Sequence, residues 1–377
     1  MTQVRPASAR QPVRVDLEQL LGFVAAVFVA RGLPTQRART AADALCYSDL
    51  AGLGTHGLVN LTRLYLPLLD DARVDPRAHL QVVADRGAAA LIDAHRALGL
   101  WAASEAMDMA VERAARYGIG MISVRAATHF ACAGHHALRA VRHGMVGIVA
   151  SNCGRQRIVR PPGGQVAMLG TNPWSVAAPA GGHHPFVLDM STTAAPTGRI
   201  REAARAGRPI PPGWLADEQG NPVTDPAAFD RGDAHLQWLG SGSGAGPYKG
   251  FGLGLMVEVL AALVPGAGIG PTPEALDDDV GPSGRDDDVG FLIAAIAPGA
   301  LRPQEAVDRD TRTLFDTLLA CPPSPGQAPV RYPGWYEAER AHHNRRRGVP
   351  LAETLYTELC GLARTFGLEF PVPIGRP

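Results

Sequence analysis

Two short segments of the sequence carry side chains that are able to move a proton. Thr55 and His56 lie in a glycine-rich run at residues 52–57, directly after a helical pattern, and Asp189 ends a short apolar run. A carboxylate beside a loop histidine fixes the imidazole tautomer and raises its pKa, which suits general acid–base catalysis. Because a single histidine or aspartate is more often structural, the three residues become a catalytic candidate only if the fold brings them together.

A second set of runs has the pattern of an anion or cofactor site. Residues 128–134 follow a predicted strand and open a predicted helix, and backbone N–H groups at such a helix N-terminus are able to hold a phosphate. Residues 151–154 follow the next strand, and residues 170–173 form a turn. Turn formation or helix capping accounts for each run taken singly. Three cations follow the second run and are candidates to bind a 2′-phosphate: Arg155, Arg157 and Arg160.

The chain has a single lysine, Lys249, in a total of 36 lysines and arginines. An ammonium differs from a guanidinium in shape, in hydration and in how readily its pKa shifts. A lone lysine in an arginine-rich chain therefore indicates a candidate ligand contact, and Gly250 and Gly252 allow a ligand to approach closely. Chance retention on a surface loop is the alternative.

Residues 52–57 match the G-x-G-x-x-G pattern of dinucleotide-binding Rossmann folds, but they lack its context. That pattern requires a strand before it and an acidic residue about 20 positions later. Here residues 40–50 have a helical pattern, and Arg77 lies at the later position. The sequence therefore predicts a helix end that opens into a loop carrying Thr55 and His56, and not a Rossmann phosphate site.

Composition limits the class of protein. A chain of 377 residues is long enough for two or three domains of about 150 residues each. A net charge of +0 gives no general attraction to nucleic acid or to an anionic membrane, and no apolar run reaches the roughly 18 residues of a membrane span. Five cysteines without C-x-x-C spacing indicate reduced thiols and a cytoplasmic protein. Residues 1–15 are polar, and we expect a disordered tail there rather than a secretion signal.

Apolar periodicity predicts alternating helices and strands, and hence an α/β fold. Helical patterns occur at residues 16–50 (two helices), 101–117, 135–143, 251–264, 303–320 and 350–366. Strand patterns occur at residues 120–124, 146–150, 186–188 and 291–296. Residues 265–288 contain two Asp-Asp-Asp-Val runs, at 277–280 and 286–289, without EF-hand spacing. A solvated, mobile insertion is therefore favoured over an acidic metal loop.

Several of these runs, taken in order, resemble the malate/L-lactate dehydrogenase type 2 family of NAD(P)-dependent oxidoreductases. That family includes ureidoglycolate and sulfolactate dehydrogenases and piperideine-2-carboxylate reductases. The resemblance extends over about residues 17–370, and its ordered co-occurrence of motifs is more specific than any one of them. The matching runs lie at residues 49–58, 128–134, 170–173, 188–192, 210–214, 224–226, 248–253 and 333–334.

The resemblance implies an α/β fold with a non-Rossmann NAD(P)-binding domain on a mixed sheet, together with a helical domain built from N- and C-terminal segments. The predicted divisions of this chain are a disordered tail at residues 1–15 and an N-terminal helical and substrate domain at residues 16–118. The cofactor-binding domain follows at residues 119–300, with the mobile insertion at 265–288. Residues 301–377 are expected to pack on the N-terminal domain. The resemblance also implies a homodimer.

By the same resemblance, Thr55 and His56 take the place of the family's Ser-His pair, and Asp189 is their acid partner. His129 is implied to lie beside the nicotinamide and the substrate. The cofactor-binding positions implied by the family are His129, Phe130, Ala131, Cys132, Ala133, Cys153, Thr171, Asn172, Asp189, Met190, Ser191 and Lys249.

One departure from the family concerns the substrate. Asn60 stands where the family has an arginine that clamps a substrate carboxylate. The loss of that charge-assisted bond removes about 1.5–3 kcal/mol of binding free energy, unless Arg63, one turn later, takes over the role. Asn60, Arg63 and His129 are therefore the candidate substrate-binding residues, and a divergent substrate is expected.

These observations predict an NAD(P)H-dependent oxidoreductase that transfers hydride to or from a small 2-oxo or 2-hydroxy acid or a cyclic imine. NADPH is slightly preferred to NADH as the cofactor, and His56 exchanges the proton. A catalytically inactive binding protein on the same scaffold is the alternative that Asn60 suggests. A metal-dependent hydrolase built on the histidine pairs at 135–136, 183–184 and 342–343 is disfavoured, because no H-E-x-x-H motif occurs.

Overall fold

The computed structural model describes residues 12–241, 246–277 and 282–375. The described helices are α1 (Leu17–Ala30), α2 (Thr35–Leu50), α3 (Leu66–Asp70), α4 (Gly99–Tyr117), α5 (Ala133–Val141), α6 (Thr197–Arg205), α7 (Ala227–Arg231), α8 (Tyr248–Glu258), α9 (Gln304–Leu319), α10 (Trp335–Arg347) and α11 (Glu353–Phe366). The described strands are β1 (Val13–Val15), β2 (Gln81–Asp85), β3 (Ala89–Ala97), β4 (Ile119–Ala127), β5 (Val146–Ser151), β6 (Trp174–Ala178), β7 (Phe186–Met190), β8 (Leu215–Ala216), β9 (Pro222–Val223), β10 (His235–Leu236), β11 (Val289–Ile296) and β12 (Val349–Leu351).

Local sequence signals explain where the first helices begin and end. The Asp16 carboxylate accepts the Gln19 N–H at 3.0 Å and caps α1, whose apolar face is buried. Gly32 then adopts a φ of 94°, which reverses the chain before α2. Gly118 ends α4 in the same left-handed conformation. The helices predicted at residues 16–50 and 101–117 are thus confirmed.

Seven of the described strands assemble into a mixed sheet in the order β2-β3-β4-β11-β5-β6-β7. Strand β11 lies between β4 and β5 and is antiparallel to both, so those two strands run parallel to each other. Nearly every residue of β11 is buried. Helix α4 covers one face of the strand, and the helical segment Val259–Leu263, which continues α8, covers the other. A Cβ added at Gly290 would overlap the carbonyl oxygen of Ala261 in that segment, so the helix lies directly on the strand. The predicted strand–helix–strand unit is confirmed, with α5 connecting β4 to β5.

The two ends of the described chain meet in a small antiparallel sheet. Strand β1 pairs with β12, and the Arg14 guanidinium donates to the Gly348 carbonyl at 2.7 Å. The expectation of a disordered tail through residue 15 is therefore wrong for residues 13–15, which are held by strand pairing. The Asn344 side chain of α10 donates to the Leu50 carbonyl at 2.9 Å and attaches the C-terminal helices to α2.

The acidic segment before β11 is better anchored than the sequence suggests. Arg73 donates to Asp286 and to Asp287 at 2.6 Å each, and the Ala126 N–H donates to Asp288 at 2.9 Å. The expectation of a solvated insertion is therefore wrong for residues 286–288. Residues 278–280 of the other Asp-Asp-Asp-Val run lie outside the described residues, as do residues 242–245 of the glycine- and serine-rich run at 240–246 before Lys249.

A small satellite layer carries α6 beside the main sheet. Strands β8, β9 and β10 form a three-stranded antiparallel sheet, and Leu215, Phe229 and Trp238 are buried with Ile200 of α6 in their own apolar cluster. This packing presents the N-terminal turn of α6 to the loop at residues 54–56. No described helix is both long and apolar enough to cross a membrane.

Candidate active site

A cavity of about 360 Å³ opens at one edge of the main sheet. Strands β4, β5 and β7 end at this edge and β6 and β11 begin there, so four connecting segments meet at one place. Most of the predicted site residues line this cavity, namely Thr55, His56, His129, Phe130, Ala131, Cys132, Ala133, Cys153, Thr171, Asp189, Met190 and Ser191. The fold therefore brings together runs that the sequence holds apart by more than a hundred residues.

His56 lies on a single turn of 3-10 helix, Gly54–His56, that follows α2. The Thr55 hydroxyl is 3.2 Å from His56 Nδ1, and the His56 ring stacks with that of His129 at 6.2 Å between centroids. Burial, together with the charges of His129 and Arg199, lowers the pKa of His56 to about 4. The imidazole is therefore neutral at pH 7, which corrects the expectation that its pKa is raised.

Asp49 fixes the loop that carries His56. Its carboxylate is buried and accepts the Leu58 N–H at 2.7 Å. Burial raises the pKa of Asp49 to about 7. Gly57 packs directly on this carboxylate, and a Cβ at that position would overlap the Asp49 oxygens. Asp49 and Gly57 are thus positioning residues, because their contact holds the loop that carries His56.

The Gly57→Ala substitution is expected to lower the free energy of unfolding by about 1–3 kcal/mol, because the added methyl group must displace a buried, hydrogen-bonded carboxylate. Gly22→Ala is the matched control, since no atom lies within 4 Å of its added Cβ in α1 and alanine favours a helix by about 0.5–1 kcal/mol. Urea denaturation of both variants measures the difference. Equal stability of the two variants would contradict this account of the loop.

His129 is held as one tautomer. The Ala131 N–H donates to His129 Nδ1 at 3.2 Å, and the Tyr65 hydroxyl lies 2.8 Å from the same nitrogen. Because Nδ1 accepts, the neutral ring carries its proton on Nε2. Burial lowers the pKa of His129, against an opposing effect of Asp286, and keeps the ring neutral. His129 therefore offers an N–H donor to the cavity.

Asp189 lies in the same cavity as His56 but is bonded elsewhere. Its carboxylate accepts the Gly134 N–H, at the N-terminus of α5, at 2.7 Å. Burial raises the pKa of Asp189 to about 6. Among the described residues His56 is bonded to Thr55 and not to Asp189, so the expected orientation of the imidazole by this carboxylate is absent.

The two residues predicted to bind the substrate carboxylate lie outside the cavity lining. The Asn60 amide donates to the Thr55 carbonyl at 3.0 Å and so braces the turn before His56. Arg63 is exposed on the helical turn Leu61–Tyr65. The arginine that does line the cavity is Arg199 of α6, and no described residue forms an ion pair with it. The sequence carries no local signal for Arg199, because α6 reaches the cavity only through tertiary packing.

A buried carboxylate braces the opposite side of the cavity. Glu258 of α8 accepts the Asn172 side-chain amide at 2.8 Å, the Asn152 amide at 3.3 Å and the Gly270 N–H at 3.2 Å. Asn172 is therefore a support for the cavity and not part of its lining. Asn152 lines the cavity itself and joins this network to the end of β5.

The remaining predicted cofactor residues lie around the rim or are engaged within the protein. Lys249 is exposed on the first turn of α8 and does not line the cavity. Arg157 is buried, and Arg160 pairs with Glu218 at 3.0 Å. The side chain of Arg155 is 67% exposed and lies 3.8 Å from Asp288. Of the three arginines, Arg155 is thus the one most available to a ligand.

The cavity wall suits a nicotinamide ring. Residues 130–133 supply a mostly apolar surface, and burial raises the pKa of Cys132, so its thiol stays protonated. The Nε2 atoms of His56 and His129 have no hydrogen-bond partner among the described residues and are free to meet a ring and a second ligand. No cluster of three or more potential metal ligands occurs among the described residues, and both nitrogens of the His136 ring are bonded within the protein.

The chain is similar to known proteins over most of its length. The sequence pattern of the malate/L-lactate dehydrogenase family matches residues 15–360. The chain is 32% identical to an L-sulfolactate dehydrogenase of Methanocaldococcus jannaschii, over 90% of this chain and 93% of that protein. Its fold matches a malate dehydrogenase of Entamoeba histolytica with a TM-score of 0.87 and 26% identity, over 96% and 100% of the two chains. It also matches a delta1-piperideine-2-carboxylate reductase of Pseudomonas syringae pvar. tomato with a TM-score of 0.78 and 26% identity, over 93% and 99%.

The chain belongs to the malate/L-lactate dehydrogenase family. It is an NAD(P)-dependent dehydrogenase or reductase, as the resemblance predicted. The predicted mixed α/β class is likewise confirmed.

Proposed function

We propose that this protein catalyses hydride transfer between a nicotinamide nucleotide and a small 2-oxo, 2-hydroxy or 2-imino acid bound in the cavity. The observation that carries the proposal is the pair of neutral imidazoles, His56 and His129, whose free Nε2 atoms share one cavity with an apolar wall. Membership of the family supports the same chemistry. The related proteins act on several acids, so the substrate must be argued from this chain's own residues.

In the proposed mechanism, the neutral His56 accepts the proton of a substrate hydroxyl during oxidation and returns it during reduction. The bound nicotinamide supplies or accepts the hydride. His129 donates its Nε2–H to the oxygen of a 2-oxo or 2-hydroxy substrate, and Arg199 binds the carboxylate as a charge-assisted pair. Thr55 holds the other nitrogen of His56 in place. Asp189, at the N-terminus of α5, is positioned to accept a ligand N–H when it is ionised.

The surrounding architecture is proposed to be a non-Rossmann nucleotide site. An antiparallel strand at the centre of the sheet and a G-x-G-x-x-G run that follows a helix, α2, both support this inference. We further propose a cytoplasmic homodimer, which is consistent with the family resemblance and with five free cysteines. Sedimentation of the purified protein measures the oligomeric state.

Titration with NADPH and NADH tests the proposed function, with nicotinamide fluorescence as the readout. We expect saturable binding to the wild type, followed by nucleotide oxidation when a 2-oxo or cyclic imino acid is added. The Lys249→Ala variant tests whether this exposed ammonium reaches the nucleotide at the rim. Binding without turnover over the whole substrate panel would favour an inactive binding protein on the same scaffold. Folded protein that binds neither nucleotide would refute the proposal.

Preference for NADPH is expected to depend on Arg155. Its guanidinium is largely exposed, and it follows Asn152 and Cys153, which line the cavity. Arg155→Ala should raise the Kd of NADPH about ten-fold and leave the Kd of NADH unchanged, because only NADPH carries the 2′-phosphate. Arg160→Ala is the control, since its side chain already pairs with Glu218. Equal effects of Arg155→Ala on both nucleotides would contradict this role.

A further inference from the structure

Two side chains of opposite charge line the cavity, and neither of them takes part in the proposed proton transfer. Arg199 is the one basic side chain among the described residues that line it, apart from the histidines. Asp286 lies in the segment before β11 and lines the same cavity. Arg199 follows Gly198, which lies against Thr55 beside His56, whereas the charge of Asp286 opposes the effect of burial on the pKa of His129. The cavity is therefore polarised, with the cation on the His56 side and the anion on the His129 side.

Asp286 is held in place without being neutralised. The Arg73 guanidinium bonds to Asp286 at 2.6 Å, and to Asp287 at 2.6 and 2.8 Å. One cation thus serves two carboxylates, so the cluster keeps one net negative charge. The Asp286 side chain is 22% exposed and that of Asp287 is 44% exposed, and only Asp286 lines the cavity.

This arrangement is unfavourable for a substrate with two acidic groups. A carboxylate bound by Arg199 pairs with the available cation, and a second carboxylate or a sulfonate would be repelled by Asp286 across a small cavity. At position 60, where an arginine would supply a second cation, the uncharged Asn60 amide donates to the Thr55 carbonyl instead. A substrate with one carboxylate and one cationic nitrogen would instead match both charges.

We propose that Asp286 is the specificity-determining residue of this enzyme and pairs with a cationic nitrogen in a substrate whose carboxylate is held by Arg199. The preferred oxidised substrate is then a protonated cyclic 2-imino acid, and the disfavoured ones are dicarboxylates and sulfonated acids. This inference rests on the proposed hydride transfer. In the reaction, the imine carbon gains a hydride while the reduced nicotinamide is oxidised. The C=N π pair moves to the nitrogen, which already carries its proton, and a secondary amine is formed.

The kinetic test compares Asp286→Asn with Asp287→Asn, which removes a charge from the same ion-pair cluster but not from the cavity lining. The measured quantity is the ratio of kcat/KM for delta1-piperideine-2-carboxylate to kcat/KM for oxaloacetate, with the preferred nucleotide. We expect a ratio above one in the wild type, a fall of about ten- to one-hundred-fold in Asp286→Asn, and little change in Asp287→Asn. Asp286→Glu, which retains the charge, should retain most of the preference and guards against a general folding defect.

A binding measurement separates this inference from the proposed function. Calorimetry with the nucleotide-loaded enzyme compares the cyclic amino acid pipecolate with malate. We expect pipecolate to bind more tightly, and Asp286→Asn to weaken pipecolate selectively. A wild-type preference for malate and oxaloacetate, or equal effects of Asp286→Asn and Asp287→Asn, would overturn the role of Asp286. Absence of turnover for every acid would refute the proposed function, and the binding comparison would still decide on Asp286.

Discussion

Replacing His56 with alanine is expected to lower kcat by about 10²–10⁴-fold while leaving nucleotide binding within a few-fold of the wild type. The imidazole is the proposed proton acceptor, and Thr55 bonds to its other nitrogen. Because burial lowers its pKa to about 4, the ring is neutral at pH 7 and ready to act as a base in the oxidative direction. Stopped-flow measurement of nucleotide oxidation or reduction, with Kd values from fluorescence, tests both parts of the expectation.

His95→Ala is the matched control for that experiment, since His95 is exposed and bonds to Gln81 away from the cavity. It should keep wild-type turnover. Full activity in the His56 variant would remove His56 from the mechanism and leave His129 as the remaining imidazole in the cavity.

The lowered pKa of His56 also affects the stability of the folded protein. The unfolded state binds a proton at His56 near pH 6.5 and the folded state only near pH 4, so His56 makes the protein less stable as the pH falls between these values.

The second large effect is expected for Arg199. Arg199→Met should lower kcat/KM for a carboxylate substrate about ten- to one-hundred-fold, mostly through a higher KM, because a charge-assisted bond to the carboxylate is lost. Methionine keeps much of the length and apolar volume of the side chain, so that the packing of α6 is little disturbed. Initial rates over a range of substrate concentrations give the two constants separately.

Arg63→Met distinguishes the arginine in the cavity from the one that the sequence suggested. Arg63 is exposed and does not line the cavity, so its replacement should leave KM unchanged. A large rise of KM in Arg63→Met, with none in Arg199→Met, would restore the sequence-based assignment. It would also remove the cation that holds the substrate carboxylate, on which the proposed selection by Asp286 depends.

Much of the fold could be predicted because its helices and strands have strong periodicity. Helix α10 was missed for a physical reason: within Trp335–Arg347 the buried residues are Ala341 and Asn344, so no apolar stripe marks it. The hairpin formed by β2 and β3 was missed because β2 is almost entirely exposed. Both elements depend on tertiary contacts rather than on their own sequence pattern.

The candidate site was predicted in part, for a related reason. Thr55, His56, His129 and Asp189 lie in recognisable local runs, whereas Arg199 and Asp286 do not. Asp286 is held at the cavity by an ion pair with Arg73, which lies more than two hundred residues earlier in the chain. No local sequence pattern predicts that ion pair. The direction of the His56 pKa shift also depends on burial, which the loop sequence does not reveal.

The central position of β11 has a consequence for the order in which this protein forms. Residues 289–296 must be inserted between two strands that are synthesised more than a hundred residues earlier, and β1 must wait for β12 at residues 349–351. During translation, β4 and β5 therefore emerge before β11, the strand that pairs with both of them. Until β11 is made, the edges that face each other in these two strands stay unpaired. Such non-local pairing slows folding and exposes the nascent chain to association with its neighbours. The sheet edge that forms the cavity is thus among the last parts of the molecule to be completed, and the catalytic groups meet only when nearly the whole chain has been made.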